Sequence, residues 1–207
     1  MENKKIFEDY IKKNFKERFV SIMDGFNLYH SLLLEENKKI NLVSRKTIED
    51  DFWSLHYLDS ILSSEIFNFN NKNVLDFGTG GGLPGIPLKI IFPKMKITFL
   101  DSRSKKINAI ANIVENMKLE ACYFSKDRLE DFQVANHYDR FDYIVCRSVK
   151  MNESIRKSIP KIIKSEGSLI LYKSKNIDDL NIFENYKTYD VSKPEIGKRL
   201  IIEIKKI

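Results

Sequence analysis

The sequence predicts an α/β fold in which a mostly parallel sheet of seven strands follows an N-terminal helical segment. From Lys72 onward, short apolar runs alternate with amphipathic stretches at the spacing of βαβ units, which form parallel sheets with right-handed crossovers. Only a short loop separates the last two apolar runs, so they predict an antiparallel hairpin at the sheet edge. Residues 4–34 instead repeat apolar side chains every three or four positions, as helices do.

This change of pattern predicts a helical subdomain at residues 1–68 and an α/β domain at residues 69–207. A chain of this length buries roughly 70% of its unfolded surface, so its core needs no disulfide or metal. Cys122 and Cys146 lie in strand-like segments and are expected to be reduced, as in a cytoplasmic protein. No apolar run is long enough for a membrane span, and no signal peptide is predicted.

The helical subdomain divides into three segments. In residues 4–34 the apolar stripe predicts core packing, and Gly25 is a candidate break between two helices. Residues 37–45 are polar and predict a loop. Thr47–Asp50 matches a capping box with Asp in place of the usual Glu, so it predicts the start of a short helix that reaches Leu62.

The α/β part contains seven strand-like segments. They cover residues 73–77, 96–101, 120–124, 141–146, 167–173, 184–191 and 199–206. The predicted helices cover residues 84–91, 104–117 and 152–163. Polar residues stand at or after the ends of the first five strands: Asp76, Asp101, Asp127–Glu130, Arg147 and Lys173. Because the carboxyl ends of parallel strands meet at one edge of the sheet, we expect one shared pocket there.

A glycine-rich stretch joins the first of these strands to the following helix. Five glycines fall within the eight residues 78–85, and Pro84 and Pro87 suit the first turn of a helix. Glycine lets a ligand approach the backbone, and a helix N-terminus attracts polar ligand groups. The stretch therefore predicts a nucleotide-type pocket, with a turn that only reverses the chain as the alternative.

The spacing of the glycines favours S-adenosylmethionine over a dinucleotide. Gly78, Gly80 and Gly82 give G-x-G-x-G, whereas dinucleotide-binding loops have G-x-G-x-x-G. S-adenosylmethionine has an amino-acid tail whose ammonium can pair with a carboxylate such as Asp76, directly or through water. Asp101 ends the second strand at the distance typical of an acid that binds ribose hydroxyls. NAD-binding proteins share that acid, and a solvated strand end is the alternative.

The histidines predict neither a catalytic base nor a metal site. His56, Asp59 and Ser60 would lie on one turn of one helix, which is poor geometry for a catalytic triad. We expect His56 to dock the subdomain or to face RNA. His30 and His137 have no partners at metal-ligand spacing.

The charge of the chain is compatible with an RNA partner. The formal net charge is +6 and the sequence pI is about 9.1, although a lysine-rich composition alone would give the same values. Arg103, Lys105 and Lys106 begin a predicted helix near the pocket mouth, where phosphate contact and a solvated surface are both compatible with the sequence.

Several motifs together resemble one known family nearly from end to end. They are Asn41-Leu42, His56-x-Leu58-Asp59-Ser60, Asp76-x-Gly78-Thr79-Gly80-x-Gly82-x-Pro84-Gly85-x-Pro87-Leu88, Leu100-Asp101-Ser102 with Lys105-Lys106, Arg128-x-Glu130, and Arg147-Ser148-Val149. The chain thereby resembles the bacterial small-subunit ribosomal RNA guanine-N7 methyltransferases, also called glucose-inhibited division protein B. The glycine motif and the His-x-Leu-Asp-Ser motif are specific as a pair.

The resemblance implies a Rossmann-like, seven-stranded class I S-adenosylmethionine-dependent methyltransferase fold with an N-terminal helical cap. It implies transfer of a methyl group to N7 of a guanine, position 527, in the 530 loop of 16S rRNA. The expected partner is 16S rRNA, the small ribosomal subunit or its assembly intermediate, and the expected state is a monomer. Two alternatives are a methyltransferase of the same fold acting on a small molecule and a non-catalytic RNA-binding module.

The resemblance also implies site residues. Its cofactor contacts correspond to Gly78, Leu83, Leu129, Glu130 and Arg147, and Asp101 fits the ribose position. Guanine N7 carries a lone pair and no proton, so methyl transfer to it needs no general base. Arg147, Arg128 and Lys173 are candidates for positioning the substrate, and an arginine there would contact O6 or phosphate rather than N7.

Overall fold

The computed structural model describes residues 2–44, 47, 49–135 and 141–205 of the chain. His137 lies outside this part, as do Arg45 at the end of the predicted loop and Lys206 at the end of the last predicted strand. No described helix has both the length and the apolar composition that a membrane span requires.

The described strands form one sheet of seven. They are β1 (Asn73–Phe77), β2 (Lys96–Leu100), β3 (Cys122–Ser125), β4 (Phe141–Arg147), β5 (Ile163–Lys173), β6 (Lys187–Asp190) and β7 (Leu200–Ile204). Their order is β3-β2-β1-β4-β5-β7-β6, in which β1 to β5 are parallel and β7 is antiparallel to both of its neighbours. The predicted parallel sheet and its C-terminal antiparallel hairpin are therefore confirmed.

The helices of the α/β part differ from the prediction in two places. They are α4 (Gly85–Ile91), α5 (Ser104–Asn116), α6 (Leu129–Ala135) and α7 (Glu153–Ser158). Helix α6 was not predicted from the sequence. The predicted helix 152–163 is too long. Pro160 has no backbone N–H to continue the helical hydrogen bonds, so Ile159–Lys161 form a 3₁₀ turn. Strand β5 then begins at Ile163, before the predicted residue 167.

Two predictions for the N-terminal helices are wrong. The helices are α1 (Glu2–Asn14) and α2 (Phe19–Lys39), so the break lies in the 3₁₀ turn between them and not at Gly25. Gly25 instead allows close helix packing, since a Cβ there would stand 3.0 Å from Ile90 Cγ2. The predicted loop 37–45 begins too early because α2 runs to Lys39. The side chain of Asn37 holds the chain that follows this helix, because its Oδ1 accepts hydrogen bonds from the backbone N–H groups of Leu42 and Val43 at 2.8 and 3.1 Å.

The capping box is also wrong, and its acid has a different partner. Residues Phe52–Leu58 form a π-helix that continues into α3 (Asp59–Ile61), and the residue before it makes no side-chain cap. The carboxylate of Asp50 instead accepts the backbone N–H groups of Asn3 and Lys4 at 3.1 and 3.3 Å. A carboxylate at a helix N-terminus satisfies free donors and interacts favourably with the positive end of the helix dipole, so Asp50 fixes the start of α1.

Two apolar clusters cover the two faces of the sheet. One contains the N-terminal helices with α4 and α5, and the other contains α6 and α7. Val74 belongs to the first and Leu75 to the second, as the alternation of a strand requires. The first cluster continues across the predicted boundary at residue 68, so the N-terminal helices cover one face of the sheet directly. The division into two domains stays a prediction.

Candidate functional site

A cavity of about 560 Å³ opens at the C-terminal edge of the sheet, where its walls include Phe77 at the end of β1, Gly78 directly after it and Arg147 at the end of β4. Strand β1 lies between β2 and β4. After β1 the chain continues to β2 and β3 on one side, and it then crosses to β4 and β5 on the other side. Open α/β sheets bind ligands at such a switch point, because the loops diverge there and leave a crevice.

The glycine loop forms one wall of this cavity because its backbone is left-handed. Gly78 and Gly80 have φ angles of +72° and +57°, and Gly78 N–H donates to the carbonyl of Leu100 at 2.8 Å. A Cβ on Gly78 would stand 2.5 Å from Cγ2 of Val149, which also lines the cavity. Gly78 is therefore required by both its conformation and the space around it.

Most of the predicted site residues line the cavity together. Those that do are Gly78, Gly80, Leu83, Asp101, Arg128, Leu129, Glu130 and Arg147. Three predicted residues, Asp76, Gly82 and Lys173, are absent from its walls. Gly82 faces the core instead, where a Cβ would stand 2.5 Å from Ile86 Cδ1.

Asp101 holds the loop in place from the end of β2. Its carboxylate accepts the N–H of Gly80 at 3.2 Å through Oδ2 and the N–H of Arg103 at 2.9 Å through Oδ1. Because two carboxylate oxygens offer about four acceptor sites, these contacts leave capacity for ligand hydroxyl groups. The loop and the acid therefore stabilise each other and present acceptors at the cavity wall.

Asp76 is fully buried and supports the loop through its carboxylate. Oδ2 accepts the hydroxyl of Thr79 at 2.7 Å and the N–H of Gly85 at 3.0 Å, whereas Oδ1 has no partner among the described residues. Burial raises the pKa of Asp76 to about 7, and the two hydrogen bonds oppose that rise. The role of Asp76 as a cofactor contact stays a prediction.

Asp76→Asn is expected to change the pH dependence of stability. The folded state binds the Asp76 proton more tightly than the unfolded state, so this stabilisation is full below the unfolded pKa and is lost as pH rises through about 7. Asn is neutral throughout, so the wild type should lose free energy of unfolding relative to the variant by up to about 1.4 kcal/mol per pH unit. Urea unfolding of both proteins from pH 4.5 to 8 measures this, and a constant difference would contradict it.

Arg147 joins β4 to the N-terminal helices. Its Nη1 donates to Oδ2 of Asp59 at 3.0 Å and to the carbonyl of Leu55 at 3.3 Å. The same carboxylate accepts Nε of Arg199 at 2.7 Å through Oδ1, so one buried acid binds two guanidinium groups. The sequence did not predict this cluster; its only signal was Asp59, the one acid within Phe52–Ile61.

His56 is neutral and contacts Arg147. Burial, followed by the charge of Arg147, lowers its pKa to about 3. Nη2 of Arg147 lies 3.3 Å from Nδ1 of His56, and a guanidinium can only donate, so the histidine proton is placed on Nε2. The contact agrees with the expected docking role of His56.

The N-terminal helices also reach the cavity. Leu42 and Val43 line it, and the hydroxyl of Tyr29 in α2 donates to the carbonyl of Gly81 at 2.7 Å. Leu42 stands out in the sequence only through the family resemblance, and Tyr29 was not predicted to support the loop. These residues cover the glycine loop closely, since a Cβ on Gly81 would stand 3.1 Å from Cγ1 of Val43.

Cationic side chains stand at the mouth of the cavity. Arg103, Lys106 and Arg128 line it, and Lys106 stands close enough to Arg103 that burial and this neighbour lower its pKa. Asp127 and Glu130 also line the cavity, and the carboxylate of Glu130 accepts the hydroxyl of Ser154 at 2.5 Å. The cations offer donors to anionic groups of a ligand, with these acids beside them.

A second cavity of about 370 Å³ adjoins the first and contains Lys173. The two share the wall residues His56, Arg147, Ser148 and Val149. Strand ends that were expected to meet in one pocket thus surround two, and Lys173 belongs to the second. In the described part of the chain, no group of acids, histidines or cysteines is arranged to hold a metal ion.

A family model and individual relatives of this chain indicate the same protein family. The GidB family model, described as rRNA small subunit methyltransferase G, matches residues 22–197. Ribosomal RNA small subunit methyltransferase G of Mesoplasma florum is 36% identical over 177 residues, which cover 86% of this chain and 73% of that protein.

Solved structures agree with the fold class. Precorrin-6y C5,15-methyltransferase of Geobacter metallireducens GS-15 has a TM-score of 0.56 at 16% identity, covering 79% of this chain and 93% of that chain. A mutant of MtNAS in complex with S-adenosylmethionine has a TM-score of 0.56 at 13% identity, covering 96% of this chain and 82% of that chain. The predicted class I methyltransferase fold is confirmed.

Proposed function

The chain belongs to the GidB family of rRNA small subunit methyltransferases, and we propose that it methylates N7 of guanine 527 in the 530 loop of 16S rRNA. The methyl donor is S-adenosyl-L-methionine. The observation that carries the proposal is the left-handed loop at Gly78 and Gly80, which faces the 560 Å³ cavity beside the carboxylate of Asp101. Family membership favours the rRNA substrate over the small molecule that the sequence left open.

The residues of the cavity fit this cofactor. Asp101 retains acceptor capacity for the ribose hydroxyls, and the backbone of Gly78 and Gly80 leaves space for the amino-acid tail. Leu129, which is buried in the wall after β3, and Glu130 would contact the adenosyl end. When bound, S-adenosylmethionine supplies an electrophilic methyl group on a sulfonium.

Four further predicted contacts have different roles in this proposal. Leu83 completes the cavity wall after the glycine loop. The guanidinium of Arg147 is already bound to Asp59, so it shapes the wall. Asp76 and Gly82 support the loop, and Asp76 would reach a ligand ammonium only through water.

The reaction needs positioning more than proton transfer. Guanine N7 has a free lone pair, so catalysis rests on placing it in line with the methyl carbon, which can contribute several kcal/mol. His56 is unsuited to act as a base because Nδ1 accepts from Arg147 and its pKa is about 3. Arg128 is exposed at the cavity mouth, where it can bind phosphate or O6 without occupying N7.

The substrate must present an accessible base. A guanine in folded rRNA can reach such a cavity by extrusion from its stack or in a partly assembled subunit. Arg103 and Lys106 at the mouth would bind the flanking phosphates. An rRNA substrate would place the protein in the cytoplasm, where we expect it to act as a monomer.

Methyl transfer with mapping of the product tests this proposal. S-adenosylmethionine with a labelled methyl group is incubated with 30S subunits and with 16S rRNA from cells that lack the modification, and 7-methylguanine is located by borohydride reduction and aniline cleavage. We expect about one methyl group per 16S rRNA, at position 527, and no incorporation into rRNA that is already modified. Gly80→Asp is the inactive control, because it places a carboxylate beside Asp101 at a φ of +57°. Label at another nucleotide, or none in rRNA, would contradict the proposal.

A further inference from the structure

The second cavity lies at the C-terminal ends of β4 and β5, where Arg147 pairs with Tyr172 in the sheet register. His56, Arg147, Ser148 and Val149 belong to the walls of both cavities. A methyl acceptor must approach the donor in line, so it has to occupy space that adjoins the donor site without overlapping it. The second cavity meets that requirement.

Apolar surface and cations together line the second cavity. Leu55, Val149 and Tyr172 contribute apolar area. The hydroxyl of Tyr172 is already used, because it donates to the carbonyl of Ser60 at 2.9 Å and shares a 2.5 Å hydrogen bond with Ser63. Because this hydroxyl is paired, the Tyr172 ring adds apolar surface to the wall and leaves no polar group unpaired. A flat purine can pack against such a surface.

The three cations of this cavity differ in their freedom to bind a ligand. Arg147 and Arg199 are fixed by the carboxylate of Asp59 at 3.0 and 2.7 Å. Nζ of Lys173 contacts Oδ2 of Asp179 at 2.5 Å. An ammonium has three donors, and the contacts of Lys173 in the described part of the chain use one. The Lys173 side chain is only 12% exposed, and its ammonium retains N–H donors for a ligand.

We infer that the second cavity binds the target guanine and that Lys173 donates a hydrogen bond to its O6. The inference rests on the proposed function and adds the base subsite to it. O6 lies beside N7 on the major-groove edge of guanine, so a donor at O6 holds this edge while N7 stays free to react. Adenine has an amino donor at the same position, so the contact also selects guanine.

The charge balance of the pair suits the product. Methylation at N7 gives the purine a positive charge, which a bare ammonium would repel. Asp179 neutralises Lys173, and its Oδ2 is itself fixed by the N–H of Met151 at 2.7 Å. The pair therefore donates a hydrogen bond without adding net positive charge beside the base.

A cycle of one protein change and one substrate change tests the inference. Lys173→Gln removes the ammonium and retains an amide that can contact Asp179. In the substrate, 2-aminopurine replaces the target guanine, which removes O6 and keeps N7. We expect Lys173→Gln to lower the single-turnover rate on the guanine substrate at least tenfold, with KM for rRNA and affinity for S-adenosylmethionine unchanged. On the 2-aminopurine substrate the variant should be no slower than the wild type.

The matched control is Lys175→Gln, since Lys175 is exposed and belongs to neither cavity wall. It should methylate the guanine substrate within twofold of the wild-type rate. An equal rate loss by Lys173→Gln on both substrates would overturn the inference, as would no loss on guanine. If Lys173→Gln fails to fold, the wild type alone decides, because its rate on 2-aminopurine should fall at least tenfold and an unchanged rate overturns the inference. Wild-type methylation at another nucleotide would instead refute the proposed function.

Discussion

Gly78→Ala is expected to abolish binding of S-adenosylmethionine, whereas Gly197→Ala leaves it intact. The two glycines have nearly equal φ angles, +72° and +69°. A side chain in this left-handed region costs roughly 1–2 kcal/mol at either position. Only at Gly78 would the new Cβ also collide, at 2.5 Å, with Cγ2 of Val149 on the cavity wall, since Gly197 has nothing within 4 Å. The pair therefore separates backbone strain from damage to the site.

Thermal unfolding with and without S-adenosylmethionine measures the effect. At a ligand concentration of 100 Kd, binding stabilises a protein by about 2.7 kcal/mol. For a domain of this size that corresponds to a rise in Tm of roughly 5–10 °C. We expect this rise for the wild type and Gly197→Ala, and none for Gly78→Ala.

Relief of the collision provides the companion test. Val149→Ala removes Cγ2, so the double variant Gly78→Ala/Val149→Ala should regain part of the ligand-induced rise in Tm that Gly78→Ala loses. Val149→Ala alone supplies the reference for the smaller wall. An unchanged rise in Gly78→Ala, or an equal loss in Gly197→Ala, would show that the contact with Val149 does not govern the cofactor cavity.

The features that the sequence predicts correctly are encoded locally. The observed ends of β1 agree with the prediction, because the strand-like run stops at Gly78, and glycine favours a turn over a strand interior. Asp101 was placed at the cavity because the carboxyl end of a parallel strand fixes where its last side chain lies. In both cases the informative residues are neighbours in the chain.

The features that the sequence analysis missed depend on distant partners. The sequence predicts Asp50 as the last residue of a capping box for the helix that follows it. Its carboxylate instead caps α1, at Asn3 and Lys4, which lie 47 and 46 residues away in the chain. Lys173 ends a parallel strand and Asp101 directly follows one, yet Lys173 lines the second cavity and not the first. The surface that both cavities share includes Arg147, which is fixed by Asp59; this acid binds one arginine 88 residues later and another 140 residues later, and chain spacing carries no signal for either contact.

Asp59→Asn is expected to destabilise the protein strongly. The Asp59 side chain is only 5% exposed and accepts from both Arg147 and Arg199. Asparagine removes the charge and turns one acceptor into a donor that faces a guanidinium. Breaking a buried ion pair by removing one partner costs about 3–5 kcal/mol. At roughly 2–4 °C per kcal/mol, Tm should fall by about 6–20 °C.

The control is an exposed ion pair. Glu35→Gln removes one of the two acidic partners of Lys39, at 3.6 Å, and leaves Glu36 at 2.8 Å. The side chains of Glu35 and Lys39 are both more than half exposed, so the substitution should cost less than about 1 kcal/mol. A Tm for Asp59→Asn within about 2 °C of the wild type would show that the cluster does not hold the N-terminal helices to β4.

Arg147→Met completes a double-mutant cycle with Asp59→Asn. If the acid acts on the sheet through this arginine, the double variant should be less destabilised than the sum of the two single variants, because the second substitution breaks a contact that is already lost. Additive losses of unfolding free energy would mean that Asp59 acts through Arg199 alone. Since Arg147 lines both cavities, we also expect each single variant to lose methyl transfer at temperatures where it is fully folded. The ion cluster would then determine both the attachment of the N-terminal helices and the shape of the surface that the two cavities share.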